Sequence, residues 1–177
     1  MKYILPPAGL FATVALMALL GAACAKPSLL PSIEPATEPT RPSDETTTSH
    51  NLPPGARLNL SNQGLIKLPS YVLERTELAE LDISHNKLTG ALPGEIRLLK
   101  NLKILNASYN QMTGVPAEVR QLTELTELNL SYNQLTGLPY ELGNLKKLKV
   151  LNLTGNAYAE QDLAIILQGI PNVEVVR

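Results

Sequence analysis

From Leu58 to the end of the chain, apolar and polar positions follow one repeated figure. Two apolar residues flank a single polar one in Leu58-Asn59-Leu60, Leu81-Asp82-Ile83, Leu128-Asn129-Leu130 and Leu151-Asn152-Leu153. That alternation has the period of a strand, which sends its two leucines to one side and the residue between them to the other. A proline follows, and then a second apolar segment such as Glu95-Ile96-Arg97-Leu98-Leu99. The leading leucines are Leu58, Leu81, Leu105, Leu128 and Leu151, at intervals of 23, 24, 23 and 23 residues. The 24 arises in Thr89-Gly90-Ala91-Leu92-Pro93, one residue longer than Thr113-Gly114-Val115-Pro116. An interval this regular predicts a stack of similar coils.

One such strand cannot bury its leucine face alone. Five of them side by side predict a parallel sheet. Its inner side is closed by the return segments, Val119 with Leu122 and Leu142 with Leu145, to make one continuous core. Each Leu fully buried there contributes about 1.5 to 3 kcal/mol. The ends read as caps. Gln63 stands where later units carry Asn, and Arg75 where they carry Leu99, Leu122 and Leu145. At the other end Leu163, Ile166, Leu167 and Ile170 have the spacing of an amphipathic helix, Pro171 stops it, and Val173-Glu174-Val175 alternates like a last short strand.

Each unit fits LxxLxLxxNxL followed by a proline, and over Leu58 to Arg177 the chain resembles the leucine-rich repeat family. The resemblance implies an α/β solenoid of about five repeats, with short parallel β-strands on its concave face and a C-terminal helix/strand cap. It also implies that Asn86, Asn110, Asn133 and Asn156 form a structural ladder, each amide bonding the backbone of its turn.

Composition adds what the core is made of. Leu supplies 34 of 177 residues and aromatics only 4%, so one side chain is used repeatedly. A single Cys excludes an internal disulfide. With 15 Lys plus Arg against 16 Asp plus Glu, the clustered positive charge that phosphate binding requires is missing, which excludes nucleic acid as a partner.

The composition is uneven along the chain, and three segments result. Residues 54–177 are the repeat domain. Residues 24–53 hold Pro27, Pro31, Pro35, Pro39 and Pro42, too closely spaced for helix or sheet. With little apolar surface, this Pro/Ser/Thr-rich stretch reads as a disordered tether, reaching about 80 to 90 Å at about 3.1 Å per residue. Residues 1–23 start with Lys2 and continue uncharged, as an export signal peptide does. Leu19-Leu20-Gly21-Ala22-Ala23-Cys24 resembles the lipobox of bacterial lipoproteins, although Gly21 stands where that family usually has Leu. The resemblance implies that Cys24 carries diacylglycerol and a fatty acyl chain such as palmitate. The lipid would hold the protein at the bacterial cell membrane or outer membrane, facing periplasm or exterior. Simple cleavage around Ala23-Cys24-Ala25, or an uncleaved span of about 20 residues, are the other readings; all three are extracytoplasmic.

In the family's architecture the outward strand residues form columns across the concave face. Arg57, Glu80, Ile104, Glu127 and Val150 make one, and Asn59, Asp82, Asn106, Asn129 and Asn152 the central one. Ser61, Ser84, Ser108, Ser131 and Thr154 follow, then Asn62, His85, Tyr109, Tyr132 and Gly155. The candidate ligand-binding set is Glu80, Asp82, His85, Ile104, Asn106, Tyr109, Glu127, Asn129, Tyr132, Val150 and Asn152. Tyrosine favours binding because it offers a large contact at low entropic cost; that the tyrosines only cover the sheet edge is the competing account. Asp82, Ser84 and His85 have the residue types of a catalytic triad, but they lie together on an open surface without oxyanion donors, so no catalysis is expected. Nor is a cofactor or a metal, since His85 and Asp82 fall short of the three or four ligands of a zinc site. The expected function is a membrane-anchored binding module that takes a protein, or less favourably a glycan, on the concave face. A structural or adhesive spacer is the alternative.

Overall fold

The computed structural model describes residues 55–177. The expected signal peptide, the lipidation site Cys24 and the tether lie outside the described residues. Among the described residues eight strands form: β1 (Ala56–Asn59), β2 (Leu78–Asp82), β3 (Thr89–Ala91), β4 (Ile104–Asn106), β5 (Gln111–Gly114), β6 (Glu127–Asn129), β7 (Val150–Asn152) and β8 (Glu174–Val176). Six of them, in the order β1-β2-β4-β6-β7-β8, make one parallel sheet; β3 and β5 make a second, two-stranded one just beyond the turn. The register aligns Leu58, Leu81, Leu105, Leu128, Leu151 and Val175 across the main sheet. The sequence pattern had placed the final strand one residue earlier and counted it only as a cap. It is in fact a sixth rung, with Val175 turned inward.

The return path is short, and its conformation follows from that. Single helical turns occupy Gly94–Leu98, Ala117–Gln121 and Tyr140–Asn144, all 3₁₀, and α1 (Ser70–Leu73) fills the same place in the first repeat. Each begins directly after a proline, Pro69, Pro93, Pro116 or Pro139, whose extended backbone points the chain back along the sheet. The proline carbonyl is the first acceptor of the turn: Val72, Ile96, Val119 and Leu142 donate to it at 3.0–3.1 Å. A 3₁₀ turn rises about 2.0 Å per residue against about 1.5 Å for an α-helix, so five residues cover more of the distance to the next strand.

The core between sheet and return segments is nearly all aliphatic. Leu105, Leu128, Leu130, Leu151, Val119, Leu122, Leu142 and Leu145 are buried to within 1% of full coverage. The polar groups inside it belong to the turns, and the asparagines satisfy them. Asn86 accepts from the amides of Gln63 and Leu65 at 3.0 Å and donates to the carbonyls of Leu60 and Ile83. Asn110 accepts from Leu88 and donates to Ile83 and Ala107. Asn133 bonds Met112, Ala107 and Leu130 in the same way, and Asn156 bonds Leu135, Leu130 and Leu153. Every asparagine therefore ties its own rung to the preceding one, and no buried side-chain polar atom among the described residues lacks a partner. Gln63, the exception in the series, is served by Asn86 of the next repeat.

The C-terminal end is closed by α2 (Glu160–Gly169), which buries Leu163 and Ile166. Two glycines bring it against the Tyr140–Asn144 turn: a Cβ on Gly169 would lie 2.3 Å from the Gly143 carbonyl oxygen. The Lys146 ammonium bridges the carbonyls of Gly143 and Gly169 at 2.9 and 2.7 Å. At the other end Ala56, Leu58, Leu68 and Tyr71 are only partly buried, and the Arg75 guanidinium lies 5.7 Å from the centre of the Tyr71 ring.

Two substitutions probe these features by urea unfolding. Asn110→Ala leaves the buried Leu88 amide without a partner, while the Ile83 and Ala107 carbonyls keep Asn86 and Asn133, and should cost about 1 to 3 kcal/mol. Gly169→Ala should cost about 1 to 3 kcal/mol by overpacking; an unchanged midpoint would show that α2 is not held by this approach.

Candidate binding face

The register carries the first two columns across the sheet as the sequence placed them and adds a member to both: Glu174 follows Val150, and Val176 follows Asn152. Sequence reasoning stopped the columns at the fifth repeat. The available signal was spacing, because Val175 stands 24 residues after Leu151, a full repeat length. Arg57 and Glu80 form an ion pair at 2.8 Å, exposed enough to contribute little to stability.

The central column is committed on one side only. The Asn106 Oδ1 accepts from the Ser108 amide at 3.3 Å and hydroxyl at 2.8 Å. Asn129 does the same with Ser131, at 3.1 and 2.7 Å. Asn152 pairs likewise with Thr154, at 3.1 and 2.8 Å. Asn59 and Asp82 accept only from the amides of Ser61 and Ser84. These are side chains folded onto their own backbone two residues on, as Asn and Asp do in turns. With the oxygens taken, the Nδ2 groups of Asn106, Asn129 and Asn152 have no partner among the described residues and point off the sheet. In the column that the sequence placed on the surface, Ser84, Ser108 and Ser131 are in fact buried at 3% exposure, while Ser61 and Thr154 at its ends are half-buried. The Ser108 and Ser131 hydroxyls serve these turns, and Ser84 is buried rather than presented on the face.

The last column lies past the strand ends, in the turn that leads to the asparagine ladder. Asn62, His85, Tyr109, Tyr132 and Gly155 all have positive φ, between 53° and 72°. For a residue with a Cβ this backbone is strained by about 1 kcal/mol or more, and it is held here because each amide continues the bonding between rungs, Tyr109 to Ser131 and Tyr132 to Thr154. Gly155 in the same column was the sequence sign of that conformation. Adjacent strands lie about 4.8 Å apart, which sets the side chains at stacking distance. The His85 and Tyr109 rings stack at 4.3 Å with planes 9° apart, and Tyr109 and Tyr132 at 4.4 Å and 17°. Tyr132 rests on Gly155, where a Cβ would come within 2.8 Å of its ring. The ring faces are therefore covered by one another, and edges and hydroxyls are what remain exposed, at 46% and 47% for the two tyrosines. Crowding and the neighbouring Tyr132 hydroxyl raise the Tyr109 hydroxyl pKa above the ordinary phenol value.

Six parallel rungs, an asparagine in four successive turns and proline-led returns define the fold. The domain is a leucine-rich repeat solenoid. The family description "Leucine Rich repeats (2 copies)" matches residues 100–139 and 123–164, and "Leucine Rich Repeat" matches residues 77–99. Receptor-like protein 18 of Arabidopsis thaliana is 41% identical over 59 residues, 33% of this chain and 7% of that protein. A leucine-rich repeat protein of Leptospira interrogans is similar at 40% identity and a TM-score of 0.59, over 63% of this chain and 28% of that one. The leucine-rich repeats in the BIR3–SERK2 complex of Arabidopsis thaliana are similar at 32% identity and a TM-score of 0.54, over 58% and 56% of the two chains. The chain thus spans less than a third of the first two relatives' length. The leucine-rich repeat domain is of a kind typical of protein–protein interaction modules.

The stack predicts a stability effect that outward strand residues would not have. Tyr109→Ala loses two ring contacts, each worth about 0.5 to 1.5 kcal/mol, while Tyr109→Gly also relieves the left-handed backbone. Alanine should lower unfolding stability by about 1 to 3 kcal/mol, and glycine should recover about 1 kcal/mol of that. If the two variants unfold alike, the positive φ stores no strain.

Proposed function

We propose that the leucine-rich repeat solenoid is an extracytoplasmic binding module, anchored through lipid on Cys24, that recognises a protein partner on its concave face. What carries the reading is the row of Asn106, Asn129 and Asn152 amide NH2 groups without partners among the described residues, beside the exposed Glu127 and the half-buried Ile104 and Val150. A surface that served only to space or cover would have no reason to hold three donors in line, each oriented by a hydroxyl behind it. The kinship with a chain that forms the BIR3–SERK2 complex supports a protein rather than a small molecule. A glycan fits less well, because sugar rings pack on aromatic faces and these faces are covered.

Two experiments test it. The full chain is used to capture partners from envelope extract, and Asn129→Arg, which fills the centre of the concave face, should abolish capture while Glu118→Arg on a return segment leaves it intact. Equal capture by both variants would make the face a spacer. Intact mass of the membrane-extracted protein should show an N-terminal acylated Cys24; a lipid-free N-terminus after residue 24 would remove the anchor.

A further inference from the structure

The chemistry of the concave face is one-sided, and that identifies what it takes. Asn106, Asn129 and Asn152 expose only amine donors, since their oxygens are bonded to Ser108, Ser131 and Thr154. The stacked Tyr109 and Tyr132 expose hydroxyls and ring edges, the electropositive part of an aromatic ring. A ligand that meets both must present acceptors along its length. Next to these donors the first column alternates Ile104, Glu127 and Val150, an acid between two aliphatic residues, and the Glu127 carboxylate has no ion-pair partner among the described residues. Glu174 continues the same column. The complement is a cation flanked by apolar surface.

Spacing narrows the conformation. Rungs repeat about every 4.8 Å, so alternate rungs lie about 9.6 Å apart. A polyproline II helix has three residues per turn at about 3.1 Å each, so carbonyls on one side recur about every 9.3 Å. A fully extended strand repeats its carbonyls about every 6.7 Å and matches neither interval. Prolines also lack the N–H, so such a segment brings acceptors and no donors that this face would leave unpaired. Resting on the concave-face reading above, the geometry points to a proline-rich, polyproline II segment carrying one Lys or Arg. It crosses the strands with its carbonyls on the Asn106 and Asn152 amines, a proline ring on Ile104 or Val150, and its cation at Glu127.

The test uses the full chain and synthetic probes. The sequence has six Tyr and no Trp, and two of the tyrosines lie in the stack, so tyrosine emission serves as the screen and calorimetry as the deciding measurement. A nine-residue peptide of prolines around a central Lys should bind at least tenfold more tightly than the same peptide with central Glu, and than one with glycines in place of prolines. Glu127→Gln should erase most of the Lys-over-Glu preference. Asn152→Asp keeps the turn with Thr154 and exchanges the donor assigned to a ligand carbonyl for an acceptor that repels it, so an all-proline, uncharged nonapeptide should bind at least fivefold more weakly. Urea midpoints of both variants confirm that they fold. Indifference to proline, indifference to the central charge, or no binding of any probe at millimolar concentration overturns the proposal. If the probes fail while Asn129→Arg still abolishes capture of partners, the ligand class is wrong and the concave face stands; if Asn129→Arg also captures normally, the face itself is wrong.

Discussion

A coil of 23 or 24 residues has to turn a corner after each strand, and the corner turns backbone amides and carbonyls toward a core made of leucine. Leaving even one of these unpaired costs about 1 to 3 kcal/mol, a large fraction of the stability of a small domain. The carboxamides of Asn86, Asn110, Asn133 and Asn156 remove that cost by bonding groups of their own rung and the one before it. Asparagine suits the place because one short side chain both donates and accepts. The fixed repeat length follows, since an asparagine displaced by one residue would miss the carbonyls that it serves. So does the cooperativity of the stack, in which each rung completes the one before it.

The same corner shapes the exposed surface. To aim the asparagine inward, the residue before it adopts positive φ, and its side chain is thrown out beside the concave face. Where that residue is His85, Tyr109 or Tyr132, the rung spacing brings the rings into a stack. Their contact energy offsets part of the backbone strain. The aromatic wall and the buried ladder are thus two sides of one turn, and a change to either acts on both. The central column is coupled to the turn as well, because Ser108, Ser131 and Thr154 orient the asparagines that face outward.

The ends obey a different rule. Internal rungs are covered by neighbours of their own kind, while the last rung needs a surface that is apolar on one side only. α2 supplies it, and the glycine pair Gly143 and Gly169 lets the backbones meet. β8 then adds Glu174 and Val176 to the columns. Closing the core at this end therefore also extends the concave face by one rung, with an acid in line with Glu127.

Periodicity alone determined most of the architecture. The spacing of Leu58, Leu81, Leu105, Leu128 and Leu151 determined the number and register of the first five rungs, the inward and outward residues, and the members of each column, because a strand period of two leaves no freedom in which side chains face the core. The asparagine ladder was legible through the family resemblance, and the C-terminal helix through the helical spacing of Leu163, Ile166, Leu167 and Ile170. Only the tertiary structure decided how the columns are used. That Ser84, Ser108 and Ser131 are buried, that Asn106, Asn129 and Asn152 retain donors alone, and that the tyrosine faces are closed all depend on hydrogen bonds within one turn and ring contacts between neighbouring rungs. A repeat pattern specifies which residues are neighbours; the hydrogen-bond directions and ring planes follow from the backbone twist and positive φ at each corner, which a pattern of apolar and polar letters does not encode.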